Sequence, residues 1–427
     1  MFNVALDDIG VMGWITNGLV IVVTAALLAA FARKRVRSST LWRATVTPLA
    51  SIIGSGFLVV APLLGFTAGR WAVVAMAGIV ALAFAVGSAV RYNIAHVEEI
   101  TEGEEKGDGR DRTLRWLGRV GKIVLAVAYV IAVTFYLELL GAFLLRMFGV
   151  QDTNLQKLIA TALIVFIGAV GHFRGLQFLE SLEKYAVETK LSIIGGLLVG
   201  LALYNGELLL TGAWELPRLS TTWNFRTVRQ LLGAFLIVQG FETSRYLRGV
   251  YTPEHRIRTM RYAQLGATGI YLAFVGLSTV LLGVFHSVSE TGIISLSERV
   301  AFTLPILLII GAVGSQFSAA VADTIGSGGL VGEVTRGKVK PHLTYAAVAA
   351  LALLLVWTSD IFGVIAYASR AFALYYAVQA AMASLHAIDP ESGSRKAGRA
   401  TFFAVMALLM LITTVFGIPA ESSGAGG

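Results

Sequence analysis

The sequence of 427 residues contains no cysteine, eight prolines and six histidines, and only 14% of its residues are charged. The lack of cysteine excludes disulfides, thiolate metal sites and thiol nucleophiles together. His96, His172, His255, His286, His342 and His386 never stand at the i, i+3 or i+4 spacing of a helical metal pair, so metal chemistry is not expected. Charge this sparse, against roughly 25% in soluble domains, excludes an ordinary soluble fold. No Ser/His/Asp set and no closely spaced carboxylate dyad falls in the apolar stretches, which argues against an intramembrane enzyme.

What is abundant is apolar surface: 56% of residues are hydrophobic and the mean hydropathy is +0.74. This composition predicts an all-α polytopic membrane protein forming a single integral membrane domain. The leading run, Val11 to Phe31, has no basic segment before it and Arg33, Lys34 and Arg35 after it, so it reads as a retained span rather than a cleavable signal. Further spans of about the 20 residues that a bilayer core requires are expected at 43–65, 71–92, 118–148, 155–172, 182–205, 229–248, 262–286, 301–326, 342–358, 361–387 and 398–418, twelve helices in all.

The formal charge of +8 is a matter of topology, not of nucleic-acid binding. Of 34 Lys and Arg residues, 25 fall in one set of alternate loops and seven in the other, leaving Lys190 and Arg370 inside spans. The rich set is expected in the cytoplasm, which puts both termini outside a cytoplasmic membrane. The loop from Glu98 to Arg119, polar and of mixed charge, is expected to be a mobile connection. The loop from Asn205 to Arg226 carries Trp214 and Trp223, which suit the membrane interface.

Two spans are interrupted at matching places. TVTPLASIIGSGFLVVAPLL carries Gly54, Ser55 and Gly56 at its middle, and QLLGAFLIVQGFETSRYL carries Gln239, Gly240, Phe241 and Glu242. A helix broken inside the bilayer leaves backbone groups that lipid cannot satisfy, so something polar must meet them. Placed at the heads of two five-span units, 43–205 and 229–388, the breaks define repeats of nearly equal length. An odd number of spans per unit inverts the second relative to the first, and paired interruptions mark a midplane binding site. The spans at 11–31 and 398–418 are additions outside that core.

Each of these residues supports two readings. Gly54, Ser55 and Gly56 either free amides to face an anion or are small residues for helix packing. Glu242 either holds an ammonium group, a proton or a cation, or pairs with Arg245 one turn on. Lys190 either snorkels to the cytoplasmic end or places a fixed positive charge where a coupling cation would sit. Charges at this depth cost at least about 2.5 kcal/mol, so Glu138 is expected to pair with Arg370 in the outer half and Lys190 with Asp323 in the inner half. The pairs serve as gates or as static ties between helices. Tyr136, Phe241, Phe362, Tyr375 and Tyr376 line a pocket or pack as anchors.

IIGSGFLVVAPLL at 52–64 resembles the first-span signature of the amino acid-polyamine-organocation (APC) transporter superfamily, which has the LeuT-type five-plus-five inverted-repeat fold. GFE at 240–242 resembles that superfamily's sixth-span break. YTPEHRIRTM at 251–260 resembles the cytoplasmic stretch after it, and SLEKYAVETKL at 181–191 is similar to the fifth-span stretch that carries a lysine in sodium-independent members. The resemblance implies a substrate carboxylate on the backbone of Ile53, Gly54, Ser55 and Gly56, and an amino group near Gln239, Gly240 and Phe241. It places Lys190 where sodium-coupled relatives hold a second sodium. Ser315 and Ser318 fall near the positions that supply hydroxyl ligands in those relatives, so a sodium site stays open. The chain departs from the pattern in its extra first span, in Phe57-Leu58 where Ile-Phe is usual, and in Arg245 after the second break.

The expectation is a secondary transporter for an amino acid or related amine, working by alternating access without a resident cofactor. A proton is the expected coupling ion, with Glu242, Glu138 or Asp323 as carrier. The alternatives are the same fold moving an inorganic cation or nucleobase-like solute, and a membrane sensor or scaffold that binds without transport.

Overall fold

The structure is a computed structural model that describes residues 10–103, 109–219, 223–285, 288–388 and 394–419. The described residues are helical almost throughout. In chain order the helices that matter are α1 (Val11–Ala32), α2 (Thr40–Ile52), α3 (Ser55–Ala68), α4 (Ala72–His96), α5 (Gly109–Met147), α6 (Thr153–Phe173), α7 (Gln177–Leu210), α8 (Phe225–Gly233), α9 (Thr243–Tyr246), α10 (Pro253–Ser278), α11 (Gly292–Val300), α12 (Leu304–Val334), α13 (Pro341–Thr358), α14 (Ile361–Ala387) and α15 (Ser394–Phe416).

The helix starts follow local chemistry. Ser39, Asp152, Asn224, Thr252 and Asp360 each stand at an N-cap and accept from a backbone amide of the first turn, which satisfies a donor the helix leaves over. Pro253, Pro305 and Pro341 sit in first turns, where a missing N–H costs nothing.

Among the described residues ten stretches are long and apolar enough to cross a membrane, against the twelve expected. The difference has two causes. α3 runs through a single 3-10 turn, Gly69–Trp71, into α4, so Ser55–His96 forms one continuous stretch. The second interrupted span is divided among α8, a 3-10 turn at Phe235–Val238 and α9, each too short to qualify alone.

The loop expected from Glu98 to Arg119 is largely helical instead. Glu98–Glu102 forms a short helix and α5 already begins at Gly109, because Leu114 packs with Val97 and Met382 under it. Residues 104–108 of that loop lie outside the described residues. α11 was not expected, since nine residues are too few for a span; it buries Ile293, Ile294 and Leu296 against the core.

α5 forms the centre and packs along α12 and α14, while α7 lies on α12 and α10 lies on both α2 and α4. The outlying α1 rests on α7, and its Asn17 accepts from the backbone amide of Thr303 at 3.1 Å. α15 rests along α14. This arrangement holds both interrupted spans in the interior, where their freed backbone must find partners within the protein.

Candidate functional site

The first interruption falls at Ile53 and Gly54, whose ψ values of 54° and −142° leave the helical range. α3 then restarts at Ser55 with no side chain capping it; the Phe57 amide donates to the Gly54 carbonyl at 3.3 Å, and the amides of Ser55 and Gly56 lead the helix. The second interruption runs over Gln239, Gly240, Phe241 and Glu242, with Gly240 at φ +114°.

The two breaks pack directly on each other through glycine. A Cβ on Gly56 would lie 2.5 Å from the Ile237 Cα, and one on Gly240 would lie 2.6 Å from the Ser51 carbonyl carbon. Each break therefore needs a residue without a side chain where the other's backbone passes. Tyr271 of α10, fully buried, closes the joint: its hydroxyl lies 3.0 Å from the Ile52 carbonyl oxygen and 2.6 Å from that of Ile237. One hydroxyl proton is shared between two carbonyls that the breaks left without helical partners.

Glu242 is 1% exposed. Its carboxylate accepts from the Gly240 amide at 2.9 Å and from the hydroxyl of Tyr376 on α14. Phe241 stacks on the Tyr376 ring with centroids 4.7 Å apart. The pairing of Glu242 with Arg245 is not formed. Arg245 instead donates to Gln379 Oε1 at 2.9 Å, an oxygen that also accepts from Asn93 at 2.9 Å. Glu242 turns back to cap its own break on the freed Gly240 amide.

Lys190 points inward rather than to the surface: its Nζ donates to the Ala50 carbonyl at 2.8 Å, near the C-terminal end of α2. A cation there meets the negative end of the α2 dipole. Lys190 shares a cavity of about 80 Å³ with Gly54, Ser55, Tyr136, Gln316 and Asp323. Ser315 and Ser318 are on its wall as well, the Ser315 hydroxyl donating back to the Ala312 carbonyl at 3.2 Å. Tyr136 of α5 stands between Asp323 and Gln239, its hydroxyl facing both. Gln239 and Gln316 each have a buried Oε1 with no hydrogen-bond partner among the described residues.

The cavity continues past Thr47, Ala186 and Val187. These residues lie toward the Lys/Arg-rich ends of α2 and α7. On the opposite side Phe57 of α3 closes against Phe274 and Tyr271, with ring centroids 4.4 and 5.9 Å away.

The outer pair of Glu138 and Arg370 is not formed. Arg370 donates to the Gly417 carbonyl at 2.8 Å, because α15 brings its C-terminal end across that part of α14. Glu138 is 1% exposed, and neither of its carboxylate oxygens has a hydrogen-bond partner among the described residues.

Of the residues singled out by sequence, the structure gathers Gly54, Ser55, Lys190, Ser315, Ser318 and Asp323 on one cavity, with Gln239 reaching it through Tyr136. Ile53, Gly56, Gly240 and Glu242 form the joint beside it, and Glu138 and Arg370 stand apart from both. Sequence reasoning missed Tyr271 and Gln316. Both are polar side chains inside apolar runs, which must find partners once buried; that is the one signal that would have marked them.

A family profile described as an APC superfamily transporter matches residues 34–417. An uncharacterized protein of Aquifex aeolicus (strain VF5) is 41% identical over 387 residues, covering 89% of this chain and 92% of that protein. A crystal structure of the Eremococcus coleocola manganese transporter, in complex with an aromatic bis-isothiourea substituted compound, superposes with a TM-score of 0.55 at 12% identity, covering 88% of this chain and 87% of that one. A mutant of the same transporter gives 0.54 at 13% identity, over 88% of this chain and 86% of that one. Identity this low speaks for the fold alone, whereas the family match spans nearly the whole sequence. The chain belongs to the APC superfamily of transporters.

Proposed function

We propose that this transporter carries a small amino acid or related amine across the cytoplasmic membrane by alternating access, without sodium, through proton coupling or exchange. The observation that carries the reading is the pairing of opposite chemistries on one cavity. Its wall carries Ser55 at the uncapped start of α3 and the Lys190 ammonium, suited to a carboxylate. The same wall carries Asp323 and Gln316, whose Oε1 has no hydrogen-bond partner among the described residues, suited to an ammonium group.

The volume of about 80 Å³ favours a small guest; pockets for drug-sized ligands run to roughly 300–1,000 Å³. Lys190 on the Ala50 carbonyl supports sodium independence, since its charge stands where a coupling cation would draw on the α2 carbonyls. Glu242, buried and held by Tyr376 and the Gly240 amide, is the proposed proton carrier. The aromatic closure at Phe57 and the cavity's course past Thr47 fit a state closed outside and leading inward. Substrate exchange would then require the five-span units 43–205 and 229–388 to rock around the site between the breaks.

An inorganic cation is the second reading, and the fold shared with a manganese transporter speaks for it. It has weaker support in the residues: among those described, no group of three His, Cys, Asp or Glu could hold a metal ion, and a lysine lines the cavity.

Uptake of labelled glycine, alanine and small amines into proteoliposomes, with and without an inward proton gradient and with sodium replaced by choline, tests the reading. Sodium-indifferent uptake of at least one of them is expected. Failure with all of them, together with uptake of a divalent cation, would transfer the assignment to the second reading.

A further inference from the structure

We infer that the groove between α4, α10 and α15 at the Lys/Arg-rich end binds the phosphate-bearing headgroup of an anionic phospholipid. A cavity of about 390 Å³ opens there, lined by Arg91, His96, Arg261, Arg399, Phe402 and Phe403 among others, and no Asp or Glu lines it. It is separate from the cavity at the breaks and lies outside the transport route proposed above.

Three arginines converge on this space, and none of them forms a salt bridge with a carboxylate among the described residues. Arg91 is 5% exposed. Its guanidinium is held in place by Gln264 Oε1, by the Phe84 carbonyl at 3.3 Å and by the Phe84 ring at 4.7 Å. All three of these partners are neutral, and the charged group facing Arg91 is the like-charged Arg261. A buried guanidinium fixed by neutral partners beside another cation is an arrangement that an anion stabilises.

The position in the fold separates a lipid from a free anion. Arg91 is near the end of α4, Arg261 in the early turns of α10 and Arg399 at the start of α15, the level where helices leave the bilayer. Deeper along the same two outer helices the surface turns apolar and exposed, with Leu265 at 56%, Phe402 at 41% and Val405 at 46%. A phosphate among the arginines with acyl chains along Leu265, Phe402 and Val405 matches both halves of a phospholipid. Basic pockets between spans on the cytoplasmic side recognise anionic headgroups by this combination. The bound lipid would tie α15 to α4 and α10.

Native mass spectrometry of the purified full-length protein, after exchange into defined mixed micelles, reads retained lipid directly. Phosphatidylglycerol is expected to stay bound under activation that strips phosphatidylcholine. Arg261 and Arg399 are exposed, so the double variant R261Q/R399Q should fold, and it should lose retained phosphatidylglycerol roughly tenfold or more. Arg91→Gln serves as a second variant, with circular dichroism as the folding check. Equal retention of the two lipids, or unchanged retention in R261Q/R399Q, overturns the inference. Thermal stabilisation by inorganic phosphate equal to that by phosphatidylglycerol overturns it also, in favour of a free-anion site.

Discussion

The hydroxyl of Tyr271 lies 2.6 Å from the carbonyl oxygen of Ile237, and the same hydroxyl reaches the Ile52 carbonyl at 3.0 Å. A third helix thus holds the two interrupted spans in register, and the partner of each break's orphaned carbonyl is a side chain far away in sequence. Tyr271→Phe keeps the ring against Phe57 but leaves both carbonyls buried without that donor. We expect the variant to lose about 1–3 kcal/mol of stability, the desolvation cost of the unsatisfied acceptors, and to transport more slowly. Thermal unfolding and proteoliposome uptake check this; wild-type values in both would show that the tyrosine does not join the breaks.

The glycine joint gives a sharper contrast. Gly56→Ala and Gly240→Ala each drive a methyl into the other break's backbone, and Gly240 also holds a φ of +114° that alanine resists. Overpacking of this kind costs about 1–3 kcal/mol. Because the displaced backbone borders the cavity, uptake should fall by roughly tenfold or more, as small misplacements in binding geometry do. Gly78→Ala, with nothing within 4 Å of the added Cβ, is the control and should leave uptake unchanged. Equal effects of all three would mean that close approach of the breaks is not what glycine supplies.

The breaks were legible in the sequence because glycine inside an apolar run has a local cause. The broken first span ends within a residue or two of where Gly54 placed it, and the second where Gln239 to Glu242 placed it. The outer charge pair was not legible. Depth counting put Glu138 and Arg370 at one level, but pairing depends on which way each helix is turned and on what else arrives there. α15 delivered the Gly417 carbonyl to Arg370, and no hydropathy pattern encodes that lateral contact. Tyr271 is marked in the sequence only as a polar side chain inside an apolar run; its role lies in two carbonyls that carry no sequence signal.

Glu242→Gln separates binding from coupling. The Gly240 amide and the Tyr376 hydroxyl both donate to Glu242 Oε2, and the amide oxygen of Gln at that place can accept from both, so the joint should persist. What is removed is the ability to take up and release a proton. Counterflow exchange of labelled substrate should continue within a few-fold of wild type, while accumulation driven by a pH gradient should disappear. Gradient-driven accumulation that survives the substitution would remove Glu242 as the carrier and leave Asp323 to be tested.

The last prediction concerns a buried ion pair on the Lys/Arg-rich side. Arg256 is 1% exposed; its Nη2 lies 2.5 Å from Glu98 Oε2, and its Nη1 donates both to Glu98 Oε1 and, at 3.1 Å, to the Arg245 carbonyl. One guanidinium therefore ties the short helix after α4 to the segment that follows the second break. Removing either partner alone strands a buried charge, so Glu98→Gln and Arg256→Gln should each lose about 3–5 kcal/mol. The double variant E98L/R256M replaces both charges with apolar groups and should recover much of that loss, a non-additivity that a double-mutant cycle measures. The tie also sets the direction of a functional effect. If it holds the Lys/Arg-rich side together, Glu98→Gln should widen access to the cavity from that side. The chain has no cysteine of its own, so Thr47→Cys on the cavity wall is a clean reporter. Its labelling by a membrane-impermeant maleimide in inside-out vesicles should be faster in the Glu98→Gln background, and a labelling rate that does not change would mean that the pair ties helices together without gating the cavity.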